Sequence, residues 1–506
     1  VVGVKNSLTA VIYLEPDQVS LRILELPKGR VINDVRSGEL MVGRGNIANY
    51  AQNMEAIVNN LEGFKQLLKD YQVEDVHFYG AIEDLDPVDA RYVGDQLEVR
   101  TGLKVQWLNN NQLMAQTMGC VVTTLPEFKE LSKHCLYLLT LGLDTVTLAF
   151  FHHGNFEKQW DLDLGGAKIS RLVQRLRQTT TNPQEIIQDY INSKLEYISP
   201  ELKRKKRTVL LIQNAPVLNH HYIPRGEHLA EVPEAPLDKV DQELGIRPGS
   251  HGAWISSALT DAERRVNLPN YLVIARTAHL VHPLSIYVTD ISMMDGLVNG
   301  TIDAGAQSQI NTMIRTSADD IAQRYGIDMA HQEFVTKFAC QFFDQLRPIH
   351  RLDNHARLLL EIASKVDDIG NFINQKGHYR HSAYILEANP LIGLSDKDNQ
   401  IIAEVARYHS AESPTATQAH YRHMDDDIQL TVAKLAAILR LVDALDDSRQ
   451  QKISAIKLKL TSDQVLKIKA TANDDLVLEK WSFSKKSKLF NDVFGIQPVL
   501  IERGEN

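Results

Sequence analysis

Two kinds of periodicity divide the chain. Up to about residue 300, short runs that alternate apolar and polar residues are interleaved with segments whose apolar residues recur three and four apart. "TAVIYL" and "VSLRILEL" within residues 8–35 predict a hairpin. "NIANYAQNMEAIVNNLEGFKQLLKDY" predicts a helix and "VEDVHFYG" a strand. "DPVDARYVGDQLEVRTG" predicts a helix stopped at glycine, "LKVQWL" a strand, and "NNQLMAQTMGCVVTTL" a helix. The order then repeats. "YLLTLGLDTVTLAFF" and "FEKQWDLDL" predict three strands, helices follow, "TVLLIQNA" is a strand, and further helices lead to the strand "SIYVTDI". The repeat predicts a duplicated α/β fold with a cleft between its halves.

From about residue 301 the strand pattern disappears, and "INTMIRTSADDIAQRYG" through "DIQLTVAKLAAILRLVDAL" is helical. The tail returns to strands, "KISAIKLKL" and "QVLKIKATA", then the amphipathic helix "SKKSKLFNDVFG" and a last strand "QPVLIE". The boundaries read from these shifts are 1–123 and 124–300 for two α/β lobes, 301–448 for an all-helical domain and 449–506 for a small α+β domain. Joints are expected near 123–134 and 299–305, and the proline-rich, charged "PRGEHLAEVPEAPLDK" (224–239) reads as a loop.

A chain of 506 residues is too long for one core, so composition agrees with several domains. The formal net charge of −9 argues against a dedicated nucleic-acid binder, so no DNA partner is expected. Cys120, Cys135 and Cys340 form no close-spaced pair, which points to a reduced, cytoplasmic protein. The sequence has no signal-peptide pattern and no apolar run long enough to span a bilayer, so no membrane partner is expected.

The stretches "VDDIGNFINQKGHYRHSAYILEANPLIGLSDKDNQIIAEVARYH" (366–409) and "LRLVDALDDS" (439–448) closely resemble the third domain of the exopolyphosphatase / guanosine pentaphosphate phosphohydrolase family. "LPNYLVIARTAHLVHPLSIYVTDISMMDGLV" (268–298) resembles the stretch before that domain, and the domain order matches. The resemblance implies two actin/Hsp70/sugar-kinase-like (ribonuclease H-like) α/β lobes, a helical HD-like domain and a small α+β C-terminal domain. It implies hydrolysis of terminal phosphoanhydrides in inorganic polyphosphate or a guanosine polyphosphate, Mg2+ as cofactor if the enzyme is active, and a homodimer.

At the positions where the family performs chemistry, this chain departs from its pattern. The first phosphate hairpin becomes Tyr13-Leu14-Glu15-Pro16-Asp17-Gln18, with an acid and a proline where phosphate would enter. The second is Gly142-Leu143-Asp144-Thr145, and Thr147 stands where the family has its metal-side glutamate. Asp144 is the remaining candidate metal ligand. The family's catalytic glutamate falls at Asn111 or Gln112, and an amide cannot serve as a general base. Its phosphate-holding arginine falls near Glu83, and its glycine-glycine-threonine turn becomes Asn214-Ala215-Pro216.

In the helical domain the histidine-aspartate pair of a working HD site is Asp367-Asp368, and Asp443 and Asp446 lie one helical turn apart. His378, Arg380, His381, Arg407 and His409 either line an anion pocket or support buried helix ends by pairing with Asp367 or Asp368. The basic run 203–207 reads as a solvated helix end or a polyanion-steering patch, and Lys485, Lys486 and Lys488 as the polar face of an amphipathic helix. Two functional classes follow: a phosphoanhydride hydrolase with weakened catalysis, or a non-catalytic protein that senses a nucleotide or polyphosphate through binding or oligomerisation.

Overall fold

The computed structural model describes residues 7–15, 18–37, 47–82, 85–142, 145–176, 183–202, 207–233, 261–472 and 474–502. The chain divides into two compact units, Val1–Met313 and Ile314–Asn506.

The first unit holds two separate sheets. In the first, β1 (Ser7–Leu14), β2 (Val19–Leu26) and β3 (Arg30–Arg36) form an antiparallel meander, and β4 (Asp75–Ala81) and β5 (Gln106–Leu108) extend it in parallel from β1. In the second, β6 (Cys135–Leu141), β7 (Val146–His152) and β8 (Asn155–Leu162) form the meander. From β6 it is extended in parallel by β9 (Thr208–Gln213) and β11 (Ser285–Thr289). Strand order is 3-2-1-4-5 in one and 10-11-9-6-7-8 in the other, so the repeat seen in the sequence is a repeat of topology. The extra edge strand β10 (Leu229–Val232) lies inside the segment read as a loop; its short alternation buries Val232 while it pairs antiparallel with β11.

The connecting helices are α1 (Ile47–Asp70), α2 (Pro87–Thr101), α3 (Asn110–Thr124), α4 (Phe128–Leu131), α5 (Gly166–Leu176), α6 (Pro183–Ile198), α7 (Pro216–Tyr222), α8 (Asp261–Val281) and α9 (Met293–Ile302). β1 and β2 are buried on both faces, as their near-continuous apolar runs require. One face packs on α1 and α2. On the other, Val11, Tyr13 and Leu24 meet Leu113 of α3 and Met294, Leu297 and Val298 of α9. A side chain at Gly296 would come within 2.9 Å of Thr117 backbone atoms, so the close approach of these two helices depends on that glycine.

The boundary between the units falls within α10 (Ala304–Arg324). The second unit continues with α11 (Met329–Gln345), α12 (Arg347–His350), α13 (Asn354–Val366), α14 (His378–Ala388), α15 (Asp396–Tyr408), α16 (Ala419–Arg422) and α17 (Asp426–Asp443). From Val432 to Asp443 almost every residue of α17 is buried, which makes it the central helix. The sheet of β12 (Ile453–Leu460), β13 (Val465–Ala472) and β14 (Gln497–Glu502), with α18 (Val477–Phe494), completes the same unit. Among the described residues no helix is long and apolar enough to cross a membrane.

Candidate functional site

The turns of the first unit are occupied by their own hydrogen bonds. Between β1 and β2, the Glu15 amide donates to Gln18 O at 2.9 Å, and Gln18 Nε2 donates to Glu15 Oε2 at 2.7 Å. Between β6 and β7, the Gly142 amide donates to Thr145 O at 3.0 Å. A Cβ at Gly142 would lie 2.5 Å from that same oxygen, so the glycine serves the tightness of the turn. Its amide is committed, whereas a phosphate cradle needs free donors. Thr147 Oγ1 donates to Asp161 Oδ1 at 2.6 Å, and Asn214, at a φ of 60°, donates from Nδ2 to Leu141 O at 2.5 Å. Pro16, Asp17, Glu83, Leu143, Asp144 and 203–206 lie outside the described residues.

Asn111 and Gln112, where the resemblance expects the catalytic glutamate, lie at the start of a capped helix. Asn109 caps α3: its Oδ1 accepts from the Gln112 amide at 2.9 Å, and the Gln112 Oε1 accepts from the Asn109 amide at 3.2 Å. This reciprocal pair satisfies two donors at the helix start. Asn111 beside it is half-buried. Magnesium is commonly held by one or two carboxylates with waters; of the described carboxylates at these turns, Glu15 accepts from Gln18 and Asp161 from Thr147.

The second unit concentrates its buried charge where several helix ends meet. His331 begins α11, Asp367 and Asp368 follow α13, His378 opens α14, His409 follows α15, and Asp443 ends α17. His331 Nδ1 lies 2.8 Å from Asp446 Oδ2, and its Nε2 lies 3.3 Å from Asp443 Oδ1. Burial alone would lower the His331 pKa, but hydrogen bonds to Asp443 and Asp446 outweigh it and raise it to about 10. Burial likewise opposes ionisation of Asp443, but Lys486 and His331 hold its carboxyl well below the usual range. Arg449 Nη2 donates to Asp368 Oδ2 at 2.5 Å.

On the other side of Asp368 stand two imidazoles. His378 Nε2 and His409 Nε2 are 3.1 Å apart, and Asp368 Oδ1 is 3.4 Å from the first and 3.7 Å from the second. Among the described residues these three side chains form a group able to hold a metal ion. Burial lowers the His409 pKa, yet the Asp368 hydrogen bond and the Asp367 charge raise it to about 9. His378 is lowered by burial and by His409.

The structure separates the five histidines and arginines singled out from sequence. His378 and His409 meet at Asp368. Arg380 is exposed and its Nε donates to Glu412 at 2.6 Å; Arg407 pairs with Glu387 at 2.8 Å and Glu404 at 3.1 Å. His381 is half-buried on α14. Both guanidinium groups therefore already have carboxylate partners.

Sequence reasoning missed His331, Arg449 and Lys486. Lys486 is not on a solvated face: it turns inward to Asp443, while Lys485 lies over the Trp481 ring at 3.5 Å. The signal was Asp443 itself, a carboxylate at the end of the mostly apolar run 435–442, which on burial required a cation from elsewhere.

Comparisons with known proteins now place the unit. Residues 314–487 match Ppx/GppA phosphatase, domain III. A guanosine-5'-triphosphate,3'-diphosphate pyrophosphatase of Aliivibrio fischeri is 27% identical over 149 residues, 29% of this chain and 29% of that protein. One from Pseudoalteromonas atlantica is 26% identical over 198 residues, 38% of each. The matches thus span well under half the length of these relatives. Among solved structures, a Ppx/GppA family member from Aquifex aeolicus aligns over 59% of this chain and 98% of its own, with 15% identity and a TM-score of 0.45. An exopolyphosphatase from Cytophaga hutchinsonii covers the same shares, with 13% identity and a TM-score of 0.47. The second unit is thus similar to domain III of the Ppx/GppA phosphatases.

Proposed function

We propose that this chain is an exopolyphosphatase-type protein whose first unit receives inorganic polyphosphate or a guanosine polyphosphate and hydrolyses it slowly or not at all. The observation that carries this reading is the Asn109–Gln112 capping box at the base position. An amide does not take a proton from water, and the Gln112 oxygen already accepts from the Asn109 amide at the start of α3. The committed Gly142 amide and the Thr147–Asp161 hydrogen bond support it. The same reading includes two actin-like (ribonuclease H-like) lobes in the first unit, an HD-like helical domain followed by a small C-terminal domain, a homodimer, and a cytoplasmic location without DNA or membrane partners. Mg2+ would be the ion of any residual hydrolysis.

The test is phosphate release from long-chain polyphosphate and from guanosine pentaphosphate with magnesium, beside an intact family member. Loss of general-base assistance alone slows turnover by roughly a hundred- to ten-thousand-fold. Turnover within tenfold of the intact enzyme refutes the reading. The same capping box favours a second reading, a regulatory protein that binds such a ligand without cutting it. Binding of guanosine tetraphosphate with no measurable phosphate release selects that one.

A further inference from the structure

The sheet at the end of the second unit exposes a square of like charges. In β12 and β13, Lys457 is paired directly with Lys469, and Lys459 with Lys467. Directly opposed residues share a sheet face with their Cβ atoms about 4.5–5.5 Å apart, and like charges so placed destabilise the sheet. Alternate residues of one strand share a face too, about 6.6–6.8 Å apart. All four lysines therefore stand on one face. Lys457, Lys459 and Lys469 are exposed and Lys467 is half-buried. Among the described residues none of the four pairs with a carboxylate. Acids of the same domain are engaged elsewhere: Asp463 accepts from Ser462 Oγ at 3.2 Å, Glu479 faces Lys452 at 3.5 Å, and Glu502 pairs with Lys480 at 3.4 Å.

The rest of the sheet is committed. On the opposite face Leu466, Ile468, Ala470 and Leu500 are buried, and α18 packs against β14. The outer edge of β12 is bonded to α11: Gln341 Nε2 donates to Ile456 O at 3.1 Å, and the Leu458 amide donates to Gln345 Oε1 at 3.2 Å. A partner therefore meets the lysine face and does not add a strand beside β12. Each lysine row continues onto an aliphatic residue of β14, because Lys467 is opposite Val499 and Lys469 is opposite Ile501. Val499 is 39% exposed. Each row thus offers two ammonium groups followed by an aliphatic side chain.

We infer that this face docks an acidic segment of a partner protein, one in which carboxylates alternate with apolar residues. Charge complementarity sets the sign of the partner, and the composition of the face sets its class. Single-stranded nucleic acid is held by aromatic side chains that stack on bases and by arginine forks on phosphate. β12, β13 and β14 contain no aromatic residue and no arginine. An extended peptide repeats its side chains every second residue, which is the spacing of Lys457 to Lys459 and of Lys467 to Lys469. Its apolar residues find Val499 and Ile501, for which a chain of phosphates has no counterpart. The formal net charge of −9 also repels a long polyanion more than a short segment with few carboxylates.

The full chain is titrated into a short fluorescein-labelled peptide in which glutamate alternates with valine, and binding is followed by anisotropy. The peptide should bind saturably at low salt and more weakly as salt screens the charges. A peptide with lysine in place of glutamate should not bind. The double variant Lys457→Gln/Lys469→Gln removes one row of charge and should weaken binding by about tenfold, the worth of two exposed ion pairs. It should melt at or above the parent temperature, because one pair of opposed like charges is gone. Lys457→Glu/Lys469→Glu should weaken binding of the glutamate peptide further and gain binding of the lysine peptide. Oligouridylate and polyphosphate are tested as competitors, and at equal charge each should displace the glutamate peptide poorly. The inference is wrong if the glutamate peptide does not bind, if both variants retain it, or if either phosphate polymer displaces it more effectively than unlabelled peptide. A glutamine variant that melts well below the parent would show that the lysines support the sheet, and would also overturn it.

Discussion

Arg22 Nη1 donates to Asp295 Oδ1 at 2.5 Å, joining β2 to the first turn of α9 across 273 positions of chain. The same guanidinium reaches Asp34 on β3 at 2.8 Å. Asp295 also completes the Ser292 capping box, so one carboxylate starts α9 and ties it to the first sheet. The helix that follows the second sheet is in this way fastened to the first.

Replacing this arginine should therefore loosen the two halves of the first unit together. Arg22→Met leaves Asp295 and Asp34 without their cation. Removing one partner of a fully buried pair costs roughly 3–5 kcal/mol. Both carboxylates here are about a third exposed, so the expected loss is nearer ~2 kcal/mol. Burial raises the Asp295 pKa, but Arg22 and the Ser292 hydrogen bonds lower it further, leaving it depressed. A depressed carboxyl stabilises the fold above its unfolded pKa of about 3.9, and that contribution disappears as pH falls through the folded value. Urea unfolding at pH 7 and at pH 3 should show the parent–variant gap shrinking in acid.

Gly370 is the second test. Its amide donates to Ser382 Oγ at 2.9 Å, and that hydroxyl donates to Asp367 O at 2.5 Å. A methyl group at this position would meet His378 O at 2.0 Å and Ser382 N at 2.4 Å, both backbone atoms. Gly370→Ala must push α14 away from the segment that holds Asp367 and Asp368. The expected cost exceeds about 4 kcal/mol, in the range reserved for severe steric or packing defects. Circular dichroism and urea titration of the full chain would measure it, and a loss under about 1 kcal/mol would show that α14 yields easily.

The alternation and helical periods were enough to anticipate the α/β repeat, the helical region and the tail, because each is a property of local sequence. The likeness to domain III was legible in 366–409, which lies within the matched residues 314–487. The buried cluster was only half legible. His378 and His409 stood out in two short motifs 31 residues apart. His331, Arg449 and Lys486 lie on separate elements, and only tertiary packing brings them to the aspartates. Lys486 in particular sits among Lys485 and Lys488, where a solvated helix face is the ordinary expectation. Arg380 and Arg407 pair with Glu412 and Glu387, which are remote in sequence, and Arg407 also with Glu404 three residues before it, so only the local pair was open to a motif reading.

Placing a carboxylate at Gln112, where the resemblance expects the base, distinguishes one lost residue from a wider loss. In Gln112→Glu the capping box keeps its geometry, because glutamate is equally suited to that position. Melting temperature should stay within a degree or two. Phosphate release from polyphosphate should stay at the parent level, because the Gly142 amide remains committed and Thr147 remains bonded to Asp161. A rise of tenfold or more in release rate would show that position 112 faces substrate and that the surrounding turn still binds it.

His355 and Asp398 provide a pH test far from these positions in sequence. His355 Nε2 lies 2.7 Å from Asp398 Oδ1, linking the first turn of α13 to the first turn of α15. The Asp398 Oδ2 accepts from Ser395 Oγ at 2.7 Å, so this carboxylate is also the return arm of a capping box. The hydrogen bond to Asp398 raises the His355 pKa; burial lowers it, and the charges of Asp398 and Asp353 raise it again, leaving it above 6.5. A raised histidine stabilises the fold fully below its unfolded pKa, and the contribution is lost as pH rises through the folded value. His355→Gln should therefore be less stable than the parent near pH 5.5, and the difference should close toward pH 9. With the imidazole half-exposed, the gap at low pH should be at most ~1 kcal/mol. Melting curves of both proteins across that range measure it. A gap that is constant with pH would mean that the ring contributes through packing and not through its charge.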